Sequence, residues 1–189
     1  MGSNYSLKYN VDIVMCIDAT GSMGGILDTV KSNALNFYGD LISSMRKKGK
    51  QVNELRIKVI AFRDYIADGE DAMLATDFFQ MPAEQNEFRE LVSTIKAFGG
   101  GDDPEDGLEA LAYAIRTDWT HDGDKRRHVI VVWTDAATHK LGFGRKSKYY
   151  PGKMAEDFNQ LSSWWDQMDN RAKRLLIYAP EEDYWTTIA

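Results

Sequence analysis

The segment Val11-Asp12-Ile13-Val14-Met15-Cys16-Ile17 is a short, nearly continuous apolar run rich in β-branched residues, the pattern of a strand buried on both faces. It stops at the polar turn Asp18-Ala19-Thr20-Gly21-Ser22. From about Met23 to Lys47 the residues Ile26, Leu27, Val30, Ala34, Leu35, Tyr38, Leu41, Ile42 and Met45 recur at spacings of three and four, which predicts a helix ending in a basic turn and the stop Gly49. Leu55 to Phe62 reads as a second strand, and Met73 to Phe79, closing at Gln80-Met81-Pro82, as a short edge strand. Helical spacing returns over 84–97 through Phe88, Leu91, Val92 and Ile95, and the chain then breaks at Gly99-Gly100-Gly101-Asp102-Asp103-Pro104-Glu105. Leu108, Leu111, Ala112 and Ile115 predict a helix with Pro104 near its start, with the three glycines as a flexible hinge before it. His128 to Thr134 is another buried strand, Met154 to Lys173 a helix, and Arg174 to Ala179 the last clear strand.

Strands that alternate with helices, through connections too long for hairpins, predict a doubly wound α/β fold with a mainly parallel central sheet covered by helices on both faces. With 189 residues, 43% of them hydrophobic, the chain is expected to form a single domain over 1–189 with a tail at 1–8. Residues Glu181 to Ala189 are too few for a further strand and helix, so the sheet is expected to lack a final pair of elements, with the C-terminus truncated or its edge completed by another segment. Cys16 is the single cysteine and sits inside the first apolar run, so it is expected in the core, in a reducing compartment.

In a parallel α/β sheet, ligands gather beyond the carboxyl ends of the strands. The residues at those ends are Asp18-Ala19-Thr20-Gly21-Ser22, Arg63-Asp64, the stretch from Asp102 to Glu105, and Asp135. Asp18, Thr20, Ser22 and Asp135 offer carboxylates and hydroxyls without a companion thiol or imidazole, a hard oxygen set that suits Mg²⁺, Mn²⁺ or Ca²⁺ better than zinc. Alternate residues of the turn aim three side chains at one point, and Gly21 lets the backbone curl there. The competing reading is that Asp18, Thr20 and Ser22 only cap the first helix, and that Asp102, Asp103, Glu105 and Asp106 are first-turn acids of the next. His139 reads as a surface residue or a turn hydrogen bond.

Asp18-Ala19-Thr20-Gly21-Ser22-Met23 after a buried strand resembles the Asp-x-Ser/Thr-x-Ser signature of the metal-ion-dependent adhesion site (MIDAS) in von Willebrand factor type A (vWA) domains, and Trp133-Thr134-Asp135-Ala136 and the order of elements are similar as well. Gly99 to Glu105 is similar to the Asp-x-Pro-Glu loop of the vWA-like domain in integrin β-subunits. That resemblance implies Glu105 as an extra metal ligand, and Asp64 and Asp102 as ligands of a neighbouring Ca²⁺ site. Gly24 and Gly25 stand where the integrin domains carry the acidic pair of a third site. The wording of the motifs is more similar to intracellular bacterial vWA proteins, including those associated with tellurium resistance, than to extracellular adhesion domains.

These features point to a module that binds without catalysis: Asp18, Thr20, Ser22 and Asp135 hold Mg²⁺ (or Mn²⁺) at an open position, and a protein partner's Asp or Glu fills it. The alternative is a metal-dependent phosphoryl-transfer hydrolase, since an aspartate after the first strand also opens the haloacid dehalogenase signature. That signature has a second aspartate two positions on, where this chain has Thr20, and no Gly-x-x-x-x-Gly-Lys-Ser/Thr loop is present. A net charge of -6 speaks against nucleic acid as a partner, and no apolar run approaches the roughly 20 residues that span a bilayer. The start, Met1-Gly2-Ser3-Asn4-Tyr5, has no signal-peptide pattern, so a cytoplasmic location is expected.

Overall fold

In the computed structural model, which describes residues 7–101 and 103–188, the first apolar run forms β1 (Tyr9–Asp18) at the centre of a six-stranded sheet. It is followed by α1 (Leu27–Lys47), β2 (Val52–Phe62), the short strands β3 (Met73–Ala75) and β4 (Phe79–Met81), α2 (Gln85–Thr94), α3 (Gly107–Ile115), β5 (Lys125–Trp133), α4 (Phe158–Gln167), β6 (Lys173–Tyr178) and α5 (Asp183–Ile188). The sheet order is β3-β2-β1-β5-β6, with β4 also paired to β2. The pairs β1 with β2, β1 with β5, and β5 with β6 are parallel, while β3 and β4 run antiparallel to β2. The chain is thus a mixed α/β protein with a mostly parallel central sheet.

The two-residue period of a strand separates the core into two layers. Ile13, Met15 and Ile17 of β1, Ile57 and Val59 of β2 and Val131 of β5 face α1 and α2, where they meet Leu27, Val30, Phe88 and Val92. Their neighbours Val14, Cys16, Ile60, Phe62, Ile130 and Val132 face the other way, onto Leu108 and Leu111 of α3, Leu161 of α4 and Trp185 of α5. Both faces of β1 are therefore covered, which is why its sequence reads as a continuous apolar run. Burial pushes the Cys16 thiol pKa well up, so it stays protonated and serves as a small core residue.

Several elements differ from the sequence expectation for local reasons. The first helix does not begin at Met23: Gly21–Gly25 form one 3-10 turn, and α1 starts only at Leu27, past the poor helix formers Gly24 and Gly25. The apolar segment near Met73 makes two short strands on β2 instead of one. Pro104 does not open α3. The Glu105 amide donates to Ala137 O at 3.0 Å and Glu105 O accepts from the His139 amide at 2.7 Å, so the backbone there is committed to a strand-like bridge and the helix begins at Gly107. The helix expected over Met154 to Lys173 is confined to α4. Asp157 caps its start by accepting from the Gln160 amide at 2.9 Å, and Met168, in extended conformation, ends it.

After β6, a stretch too short by sequence for a further strand and helix still forms α5, six residues long, held by a buried Trp185. The indole ring lies over Gly107, where an added Cβ would come within 2.5 Å of it, and its N–H donates to Ala136 O at 3.2 Å. The last helix therefore rests against the backbone of the Asp135 loop and the first residue of α3. No helix among the described residues is long and apolar enough to cross a membrane.

Candidate metal centre

β1, β2 and β5 run parallel, so the loops after Asp18, Phe62 and Trp133 emerge on the same edge of the sheet, and the Gly99–Glu105 loop closes over them. Asp18 lies fully buried at the base. Its Oδ1 accepts from the Thr20 amide at 2.9 Å and the Thr20 hydroxyl at 2.6 Å, and its Oδ2 accepts from the Thr134 hydroxyl at 2.6 Å. The Thr20 and Ser22 hydroxyl oxygens are 3.1 Å apart, and Ser22 Oγ donates to Asp135 Oδ1 at 2.9 Å. A continuous row of oxygens thus leads from buried Asp18 to Ser22 and Asp135, both exposed. Thr20 stands at the N-cap of the 3-10 turn, yet it makes no side-chain capping bond there. The hydroxyls of Thr20 and Ser22 bond to neighbouring side chains, and neither the turn nor α1 has a side-chain cap, so capping does not explain the motif.

A cleft of about 170 Å³ opens beside this row, lined by Ser22, Asp135, Glu105, Asp103 and Gly99 to Gly101. Glycines 99, 100 and 101 all have positive φ, at 68°, 92° and 58°, and they form a fixed cradle where the sequence suggested a hinge. A Cβ on Gly100 would lie 2.5 Å from Glu105 Oε1 and 2.8 Å from Thr20 Cβ, so only glycine lets this loop close against the site. The Gly21 amide donates to Gly99 O at 3.1 Å, and the Gly100 amide to Asp68 Oδ2 at 2.9 Å.

Glu105 is 4% exposed, and its Oε2 is buried without a hydrogen-bond partner among the described residues. Burial, reinforced by the charges of Asp18, Asp64, Asp68 and Asp106, pushes its pKa up to about 9. Burial likewise raises the Asp18 pKa, against the lowering effect of the hydrogen bonds from Thr134 and Thr20. Arg63, which is buried close by, makes its hydrogen bonds to backbone carbonyls and none to these acids. Its guanidinium donates to the carbonyls of Ala19, Phe98, Asp71 and Lys96 and stacks on Phe98 at 3.8 Å, clamping the loops together. Among the described residues, no lysine or arginine forms an ion pair with Asp18, Glu105 or Asp106.

This arrangement fixes the sign of a pH effect. The folded-state pKa of Glu105 is raised from 4.5 to about 9, so its stabilising contribution is full below about pH 4.5, falls as pH rises, and is gone above about 9. The metal-free protein is expected to lose stability across that window. Glu105→Gln is expected to flatten the loss, as measured by urea midpoints at pH 5, 7 and 9 in EDTA; an unchanged slope would contradict the assignment.

Asp64 is held by its own loop and by His139. Its Oδ1 accepts from the Ile66 and Ala67 amides at 2.5 and 2.7 Å, and its Oδ2 is 2.8 Å from His139 Nε2. Asp102, its expected partner at a Ca²⁺ site, lies outside the described residues. His139, which the sequence reads as a surface residue or a turn hydrogen bond, is buried, with its ring stacked on Phe143 at 3.9 Å. Asp64, Asp106 and His139 each bring one ligand atom to within 4.8 Å of the others, and this cluster is able to hold a metal ion. Asp18, Thr20, Ser22 and Asp135 are brought together as expected, with Glu105 on the cleft wall; Thr134, Asp68, Asp106 and His139 are the residues that sequence reasoning misses.

No family model matches the chain. Over 142 residues, 75% of this chain and 21% of the other, it is 25% identical to the protein described as alpha-protein kinase vwkA of Dictyostelium discoideum. The chain therefore spans about a fifth of that relative's length. Among solved structures it is similar to the pilus adhesin SpaC from Lactobacillus rhamnosus GG, at 18% identity and a TM-score of 0.48, covering 73% of this chain and 16% of the adhesin. The open conformation of the same adhesin matches with a TM-score of 0.47 over the same shares.

Proposed function

We propose that this domain is a vWA-type protein-binding module in which Asp18, Thr20, Ser22 and Asp135 hold Mg²⁺ or Mn²⁺, and in which an acidic side chain of a protein partner completes the coordination. The observation that carries the reading is the row of oxygens from Asp18 to Asp135, with Glu105 lining the same cleft and its buried Oε2 unpartnered among the described residues. A buried carboxylate oxygen without a donor is costly, and a divalent cation in the cleft relieves that cost. The donors are all oxygen, as Mg²⁺ and Mn²⁺ prefer. When bound, the cation supplies an electrophilic position for an incoming carboxylate.

The chain's own residues divide the work. Thr134 and the Thr20 amide fix the Asp18 carboxylate, Gly99 to Gly101 bring Glu105 and Thr20 close together, and Ser22 and Asp135 stand at the mouth where a partner enters. Hydroxyl donors carry no charge, so the site keeps its attraction for a further anion. A hydrolytic role would require a nucleophile or base beside the cation, and Thr20 occupies the position of the second aspartate that the phosphoryl-transfer reading needs.

A peptide library displayed against the immobilised domain tests the proposal. Asp- or Glu-containing peptides are expected to be retained in Mg²⁺, released by EDTA, and lost when their acid is changed to the amide. Retention indifferent to EDTA, or turnover of a phosphomonoester in Mg²⁺ that Asp18→Asn abolishes, would overturn it.

A further inference from the structure

We propose that Asp64, Asp106 and His139 form a second metal site, separate from the Asp18–Asp135 centre and selective for a divalent transition cation of the zinc class. The three groups come from three loops: Asp64 follows β2, Asp106 precedes α3, and His139 lies beyond β5. Their ligand atoms converge within 4.8 Å, and all three residues are buried, at 2%, 0% and 6% exposure.

A buried Asp–His hydrogen bond alone would explain Asp64 and His139. It does not explain Asp106. That residue occupies the N-cap of α3 but makes no side-chain capping bond. Its Oδ2 accepts from the Tyr65 amide at 2.7 Å, and its Oδ1 is buried without a partner among the described residues. A fully buried carboxylate with one oxygen unsatisfied, in a cluster that holds another carboxylate and an imidazole, is a ligand set suited to a cation.

The supporting contacts around these ligands are already in place. The Ile66 and Ala67 amides hold Asp64, the Tyr65 amide holds Asp106, and the stack on Phe143 together with the bond from the His139 amide to Glu105 O fixes the imidazole. Such contacts orient first-row metal ligands in proteins generally. An imidazole nitrogen beside two carboxylate oxygens favours Zn²⁺, Co²⁺ or Fe²⁺ over Mg²⁺ and Ca²⁺, which take oxygen almost alone. The donor chemistry thus separates this site from the all-oxygen centre one residue away at Glu105.

Zn²⁺ itself is the test ligand. Histidine ring ¹⁵N spectra of the wild-type protein, titrated with one equivalent of Zn²⁺ in excess Mg²⁺, are expected to show the His139 ring nitrogen shifting while those of His121 and His128 stay in place. Calorimetry is expected to give a Zn²⁺ affinity that falls by about 100-fold in His139→Gln and in Asp106→Asn and is kept in Asp18→Asn. A Zn²⁺ shift at His121 alone, or no shift at any ring, would overturn the proposal even if a variant fails to fold, because the spectra need only the wild-type chain. Equal loss of Zn²⁺ binding in Asp18→Asn would also overturn it, by merging the two sites into one.

Discussion

Asp18→Asn is expected to weaken Mg²⁺ and Mn²⁺ binding by about 100-fold or more while leaving the fold intact. Asparagine keeps an oxygen that accepts from the Thr20 amide and hydroxyl, and its amide can donate to a reoriented Thr134 hydroxyl, so the local hydrogen bonds survive. What it removes is the one charge at the buried base of the site. Folding and binding then separate: circular dichroism and urea midpoints in EDTA should match wild type, and calorimetric titration with Mg²⁺ should not. Asp18→Ala is a harsher version, because it leaves the Thr20 and Thr134 donors without their acceptor in a buried setting. It is expected to cost about 1–3 kcal/mol in addition to the lost affinity.

Gly100→Ala is expected to be nearly as damaging to binding although it removes no ligand. Position 100 has a φ of 92°, which an L side chain rarely adopts, and the added methyl carbon would meet Glu105 Oε1 at 2.5 Å and the Thr20 side chain at 2.8 Å. The loop must retreat, taking Glu105 away from the cleft. A cost of about 1–3 kcal/mol is the usual consequence of overpacking at a rigid site. Gly25 is the control: a Cβ there meets nothing within 4 Å, so Gly25→Ala should leave both urea midpoint and Mg²⁺ affinity near wild type. If the two variants behave alike, the cradle assigned to Gly99–Gly101 is wrong.

Much of the architecture is legible in the chain. Ile13, Met15 and Ile17 alternating with Val14 and Cys16 announce a strand with two buried faces, and the three- and four-residue spacing from Leu27 to Met45 announces the helix that covers one of them. Asp18, Thr20 and Ser22 sit close in sequence, so one turn brings them together. Asp135 joins them because parallel strands deliver their ends to one edge. The remaining partners depend on contacts that no local pattern encodes. Asp64 meets His139 across 75 positions, and Thr134 reaches Asp18 across 116.

Two of these partners carry local signals that point the wrong way. His139 lies four residues beyond Asp135 and reads as a surface residue or a turn hydrogen bond, although a loop leaving a central strand is enclosed by the loops of its neighbours. Asp106 reads as one of several first-turn acids, yet its oxygen serves the Tyr65 amide of another loop. The glycine run illustrates the same gap. Gly99-Gly100-Gly101 indicates that unusual backbone is needed, and only the structure reveals that close approach to Asp68, Glu105 and Ala67 is the reason. Asp157 and Gln160, by contrast, carry a helix-start signature that locates α4 correctly once the pair is noticed.

The most direct measurement of the central claim is anomalous diffraction from a crystal of the wild-type domain grown with Mn²⁺. A manganese peak is expected bonded to the Thr20 and Ser22 hydroxyl oxygens at about 2.1–2.3 Å, with one coordination position taken by water or by a carboxylate from outside the chain. An empty Thr20–Ser22 cleft at saturating Mn²⁺, or an ion there whose every position is filled by this chain's own atoms, would contradict it.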